Sequence, residues 1–377
     1  MSYEHSTASS MHDLLDKLRL FLVAEGWTVN LYAADSQCYR TWTGLTDTGS
    51  YRLHVQKILG PTGDSEMCYF NFRSAERLVL FEAGYAYASQ LVNGRYYCEV
   101  RGIGINGSTG YSGAGNWDKE PGAPVDTSNS KGYGGCITEI PLASSFYYWF
   151  FTIGDTIAVV VNPSTDEYQF MVFGRLKKTG VYPGGAFYVA SCNSYDPSYS
   201  YWYTSGSNTF APNRVSLLTA PLTTTSGYST AAVQLTLDAV SAWRHNGYPG
   251  LGSTYSNCII PLQYTQYLGV SAGSDKRFLG WPVLQATPNT LNAGCPMIPW
   301  HIVIKNAASR WQYVGEVEGL RVINCTPYAG GETFVLGATG GDTWMVFPQH
   351  RKSADTYPSG LSTVYNFESG VAIKVVA

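Results

Sequence analysis

The chain has 377 residues, enough to bury a sizeable core and, at roughly 150 residues each, to make two or three domains. Charged residues are only 14% of the total and the formal net charge is −3. With no basic tail, arginine-rich helix or lysine run, the sequence lacks the clustered cations of a nucleic-acid surface. No apolar run reaches the ~18 residues of a membrane helix.

Ser9 and Ser10 offer an N-cap, and Met11, Leu14, Leu15, Leu18, Phe21 and Leu22 recur at helical spacing until Gly26. This pattern predicts an amphipathic helix over residues 11–25. Its stripe must pack on something. The chain's own sheet is the default; against a neighbouring subunit, Leu14, Leu18 and Phe21 become contact residues.

From Trp27 onward β-branched and aromatic residues alternate through several strand-like runs, the last being RYYCEVRGIGI. Residues 106–135 then form a long excursion rich in Gly, Ser, Pro and Asp, with Trp117 a candidate contact residue near its middle. Residues 146–188 read as a β-meander: FYYWFFTI, a Gly-Asp turn, an aliphatic strand, an Asn-Pro-Ser-Thr-Asp turn, and a strand ending at Phe173-Gly174. Histidine and cysteine are missing from it, and its charges sit on turns and the exit at Arg175, so it reads as scaffold.

A composition break covers 194–227, with a tyrosine-rich loop at 195–205 that makes Tyr201 and Trp202 further contact candidates. Next comes a short helix-compatible patch, AAVQLTLDAVSAW, and a new set of strands begins at Trp300. The expected fold is all-β, with two β-rich, sandwich- or barrel-like meander domains and a short N-terminal α-helix. The expected division is an N-terminal arm and helix at 1–26, domain 1 at 27–215, a linker at 216–227 and domain 2 at 228–377.

Chemistry-bearing motifs are scarce. The eight cysteines are widely separated, with no C-x-x-C or C-x-x-H pair, so no zinc or thioredoxin-type motif is present. No basic segment leads into an apolar stretch at the N-terminus, so the expectation is a chain made in a reducing cytoplasm with buried thiols. Gly102 to Gly107 matches G-x-G-x-x-G, but the following STGYSGAGN cannot make the helix that holds a phosphate. The six histidines fall in no nucleophile or metal pattern. Carboxylate pairs such as Asp118 with Glu120, or Glu316 with Glu318, read more simply as solvated loop and strand-face residues than as a glycosidase pair. The sequons at Asn106 and Asn324 carry no weight without a secretory signal.

Several blocks together resemble virion structural proteins of tailed bacteriophages. They are the helix ending at Gly26-Trp27, the WFF-x-x-GD-T-I-x-V-V-V run at 149–161, Phe173-Gly-Arg-Leu-x-Lys178 and Gly184-Gly185-x-Phe-Tyr188. The C-terminal pattern is similar to their closing domain: Gly319-Leu-Arg-Val, Thr333-Phe, Trp344 to Pro348, and Ser369 to Ile373. The resemblance implies a structural subunit of the virion, in the tail tip, baseplate, neck or collar. Its implied partners are copies of itself and other phage structural proteins, with no cofactor and no catalytic residues. Low charge and 29 tyrosines suit such interfaces as well as cores. A carbohydrate-binding receptor protein at the tail tip is the alternative, with host surface glycan as ligand. A glycan-cleaving enzyme ranks last.

Overall fold

Before the predicted helix the chain makes a strand, β1 (Tyr3–Ala8). Ser10 then caps α1 (Met11–Ala24), its side chain accepting the Asp13 N–H at 3.0 Å. The helix ends where Gly26 takes φ +82°. There Trp27 N–H bonds Leu22 O (2.9 Å) and Gly26 N–H bonds Val23 O (3.0 Å), a Schellman arrangement with glycine at its left-handed position. The computed structural model describes residues 2–35, 50–58, 67–82, 95–108, 135–138, 145–164, 167–182, 184–190, 195–196, 201–202, 232–235, 244–245, 258–259, 297–305, 311–325, 328–336, 341–348 and 369–375.

After α1 comes a five-stranded antiparallel meander. Its strands are β2 (Thr28–Asp35), β3 (Ser50–Ile58), β4 (Met67–Glu82), β5 (Arg95–Ser108) and β6 (Gly135–Thr138), paired in sequence order. The predicted meander then appears as β7 (Phe146–Ile153), β8 (Thr156–Ser164) and β9 (Glu167–Arg175). Gly154, at φ +59°, occupies the two-residue turn between β7 and β8, where hairpins require a positive φ. The short β10 (Lys177–Lys178) and β11 (Ala186–Ala190) follow, then a two-stranded ribbon of β12 (Tyr195–Asp196) and β13 (Tyr201–Trp202).

Strands β14 (Ala232–Leu235) and β15 (Arg244–His245) complete a seven-stranded central sheet of order β1-β7-β8-β9-β11-β14-β15. Residues 232–235 of the helix-compatible patch are therefore strand: Val233 sits opposite Val189 in the β11 ladder. Tertiary pairing overrides a weak local preference there. The last elements are β16 (Cys258–Ile259), β17 (Met297–Lys305), β18 (Trp311–Asn324), β19 (Glu332–Leu336), β20 (Asp342–Pro348) and β21 (Ser369–Val375). They form a second seven-stranded sheet, order β16-β17-β18-β21-β20-β19, with β10 paired to β18 as its seventh member. The described residues are mostly strand with this one helix, an all-β fold with a short N-terminal α-helix.

The central sheet is covered on both faces. Tyr148, Phe150, Ile157, Val159, Met171 and Phe173 point to one side and join the α1 stripe with Leu53, Val55, Cys68, Phe70 and Phe72 of the first meander. Trp149, Phe151, Ala158, Val160, Phe170 and Val172 point to the other. There they join Trp300, Ile302, Val317, Leu320, Phe347, Val371 and Ile373 of the last sheet. Strand side chains alternate faces. A strand buried on both sides therefore reads as an unbroken apolar run, as FYYWFFTI does. Residues from both sides of the expected 216–227 linker thus share one sheet and one core; the linker itself lies outside the described residues.

Candidate functional site

The helix stripe packs on the chain's own sheets. Leu14 and Leu18 are 0% exposed and Phe21 is 5% exposed, its ring 5.2 Å from that of Phe150. All three therefore lie in the chain's own core, the default packing expected for the stripe. Trp117 lies outside the described residues, as do Asp118 and Glu120. Tyr201 and Trp202 form β13, with Trp202 opposite Tyr195 and Tyr201 opposite Asp196. The ends of the predicted loop are strand: residues 106–108 belong to β5 and 135 to β6, and 109–134 lie outside the described residues.

The motifs weighed from sequence have structural places. Gly102 to Gly107 runs along β5, every residue paired with β4, so it is ladder and not a phosphate loop. Glu316 and Glu318 share β18. Glu316 Oε1 lies 3.9 Å from both Lys177 Nζ and Arg321 Nη2, in a charge cluster on the sheet. His12 hydrogen-bonds the Tyr32 hydroxyl at 3.0 Å and stacks on Tyr51, tying α1 to β2 and β3. His54 is buried and His301 half-buried. Among the described residues no group of three metal-ligating side chains converges. Cys68 and Cys325 carry reduced thiols inside hydrophobic clusters, the Cys68 thiol donating to Gly174 O at 3.5 Å.

The feature that sequence reading missed is β1. It pairs with β7 in unbroken antiparallel register from Tyr3↔Phe151 to Ala8↔Phe146 and ends the central sheet, with no strand beyond it among the described residues. Thr152 N–H donates to Ser2 O at 2.9 Å, which makes Ser2 and Thr152 a hydrogen-bonded pair. Antiparallel pairs alternate. Glu4, Ser6 and Ala8 therefore also exchange bonds with β7, while the N–H and C=O groups of Tyr3, His5 and Thr7 face outward. The Thr7 carbonyl accepts from Lys17 Nζ at 2.9 Å, as that alternation requires.

A small aromatic shelf lies along this edge. Tyr3 is 38% and Tyr147 52% exposed, and His5 stacks on Trp149 at 4.6 Å with the rings 4° apart. Burial raises the Tyr3 pKa, partly offset by a hydrogen bond from Trp149. Burial also lowers the pKa of His5, favouring the neutral ring. On the opposite face Glu4 accepts the Tyr148 hydroxyl, and burial together with that carboxylate pushes the Tyr148 pKa up. Lys17 bridges the edge to the helix through Asp13 at 2.7 Å. Burial raises the Asp13 pKa, but hydrogen bonds from Lys17 and Ser9 outweigh it and hold the carboxyl below its usual range.

Natural edge strands carry inward charges, prolines or bulges that block further pairing. β1 has no proline and no register break, its one carboxylate is held by Tyr148, and the one charge at its outward groups is Lys17 on the Thr7 carbonyl. The signal available in sequence was the alternation of Tyr3, His5 and Thr7 just before the helix cap. Compared with known proteins, the chain matches no family model and no curated protein.

Proposed function

We propose that the chain is a structural subunit of a tailed-bacteriophage particle, assembling through protein–protein interfaces in the tail tip, baseplate, neck or collar. The observation that carries this reading is the regular edge of the central sheet, its outward groups unpaired with another strand among the described residues and met by Lys17 only at the Thr7 carbonyl, flanked by exposed rings, a surface suited to strand addition. The blocks that carry the phage resemblance also support it. Residues 149–161, 173–176 and 184–188 lie in or beside the central sheet, and 177–178, 319–322, 344–348 and 369–373 in the last sheet. These two sheets face each other across one core. Mass spectrometry of purified virions tests the proposal. Recovery of the chain in several copies per particle is expected; its absence from particles overturns it.

A second reading rests on the β12–β13 ribbon, whose register sets Tyr195 opposite Trp202 and Asp196 opposite Tyr201. Tyrosine and tryptophan, with large rings and a polar tip, are residue types suited to stacking on sugars, which is the receptor-recognition alternative. Binding on a glycan array that is lost in Tyr201→Ala and Trp202→Ala would favour it. Binding that is absent, or unchanged in these variants, would remove it.

A further inference from the structure

The outward backbone groups of β1 belong to Tyr3, His5 and Thr7, spaced symmetrically about His5. We propose that β1 pairs with β1 of a second copy of this chain, antiparallel about a two-fold axis at His5, joining two central sheets into one. The inference rests on the assembly reading above and names the first partner in it.

Three features favour a second copy as the occupant. The first is register. With His5 opposite its own symmetry mate, Tyr3 faces Thr7 of the other copy, and every outward N–H meets an outward carbonyl. Such pairing is isologous: one patch serves both subunits. The second is charge. Between these pairs Glu4 of one copy stands opposite Ser6 of the other, so the only carboxylate in β1 meets no like charge. Lys17 sits at its own Thr7 carbonyl, which places its ammonium beside Glu4 of the second copy. The third is the carbonyl itself: an oxygen has two lone pairs, so Thr7 can accept from the second copy's Tyr3 N–H without releasing Lys17. Tyr3 and Tyr147 then add apolar cover on the shelf face.

The pairing leaves a specific signature. Glu4 and Ser6 of opposite copies form a non-hydrogen-bonded pair, with Cα atoms about 4.5 Å apart, inside the range a disulfide spans. Under mild oxidation a mixture of Glu4→Cys and Ser6→Cys chains should cross-link to each other, whereas each variant alone should cross-link far less.

The deciding experiment is light scattering on a sizing column at tens of micromolar chain. The wild-type protein is expected as a dimer. The variant His5→Pro removes an outward N–H that the chain's own ladder does not use, a position where an edge strand admits proline. It should keep the wild-type circular dichroism spectrum and dimerise about tenfold or more weakly. If its fold is disturbed, His5→Lys, which places a charge on the edge and leaves the backbone intact, should give the same loss. A wild-type monomer overturns the pairing, as does a dimer that survives both variants or cross-linking without the Glu4–Ser6 preference. The two readings fail separately: a monomer found in virions overturns only the pairing, and a dimer absent from virions overturns only the phage assignment.

Discussion

Gly174 shows how one residue fixes the central sheet. It has φ +135°, and a Cβ placed there would lie 2.0 Å from the Asp155 carbonyl oxygen. That carbonyl, in the turn between β7 and β8, accepts the Arg175 N–H at 3.2 Å, so the turn and the end of β9 are in direct contact. Both the backbone conformation and the space exclude a side chain. Gly174→Ala should therefore cost about 3 kcal/mol or more, measured by urea unfolding. Gly26 provides the contrast: its φ is +82°, but a Cβ added there would meet nothing within 4 Å. Gly26→Ala should cost only the left-handed penalty of about 1–2 kcal/mol. Equal costs at the two sites would mean that the Asp155 approach does not matter. In the sequence both glycines were readable as stops, Gly26 by its place after the apolar stripe and Gly174 as the end of a strand. Their difference was not, because the Asp155 carbonyl is brought to Gly174 only by the folded hairpin.

Legibility changes from element to element with the range of the signal. The helix was readable because its cap, stripe and stop are all local: Ser10, the leucines and Gly26 sit within one short segment. The meander at 146–188 was readable because its turns are local. Which strands would flank it was not, since β11–β14 and β10–β18 pairing join residues far apart and leave no local mark. β1 was missed for a related reason: YEHSTA is polar, the alternation of Tyr3, His5 and Thr7 is a weak local mark, and its place beside β7 is what makes it a strand. The helix gives a direct test of which of its faces stabilises the fold. Leu18, fully buried between α1 and the sheets, should cost about 2–5 kcal/mol as Leu18→Ala. Leu20, 53% exposed on the outer face, should change stability by less than about 0.5 kcal/mol as Leu20→Ala. The pair separates a core helix from a docking helix. If Leu18→Ala left stability intact but abolished assembly, the stripe would belong to a partner after all; if Leu20→Ala alone did so, the outer face would be the docking face.

At the scale of the whole molecule, the aromatic content finds its explanation in two cores sharing one sheet. Phe70, Phe72, Phe150 and Phe173 fill one; Trp149, Phe151, Phe170, Phe187, Trp300 and Phe347 fill the other. Rings that the composition left open to an interface reading are, among the described residues, largely interior. The same arrangement makes the N-terminal sheets depend on the C-terminal one. A chain ending at residue 227 would keep β7, β8, β9 and β11 but lose Trp300, Phe347 and the rest of the last sheet. That loss would bare Trp149, Phe151, Phe170 and Val172 to water over one continuous face. An exposed apolar sheet face of this kind leads to association or to a loosely packed, dye-binding state. The truncated chain is therefore expected to aggregate, or to bind a hydrophobic dye and lose its near-ultraviolet circular dichroism, while the full chain unfolds with both halves together. A truncated chain that stays monomeric and unfolds cooperatively at the full chain's midpoint would instead make residues 27–215 and 228–377 independent domains. The shared core would then be a docking surface between them and not a common interior.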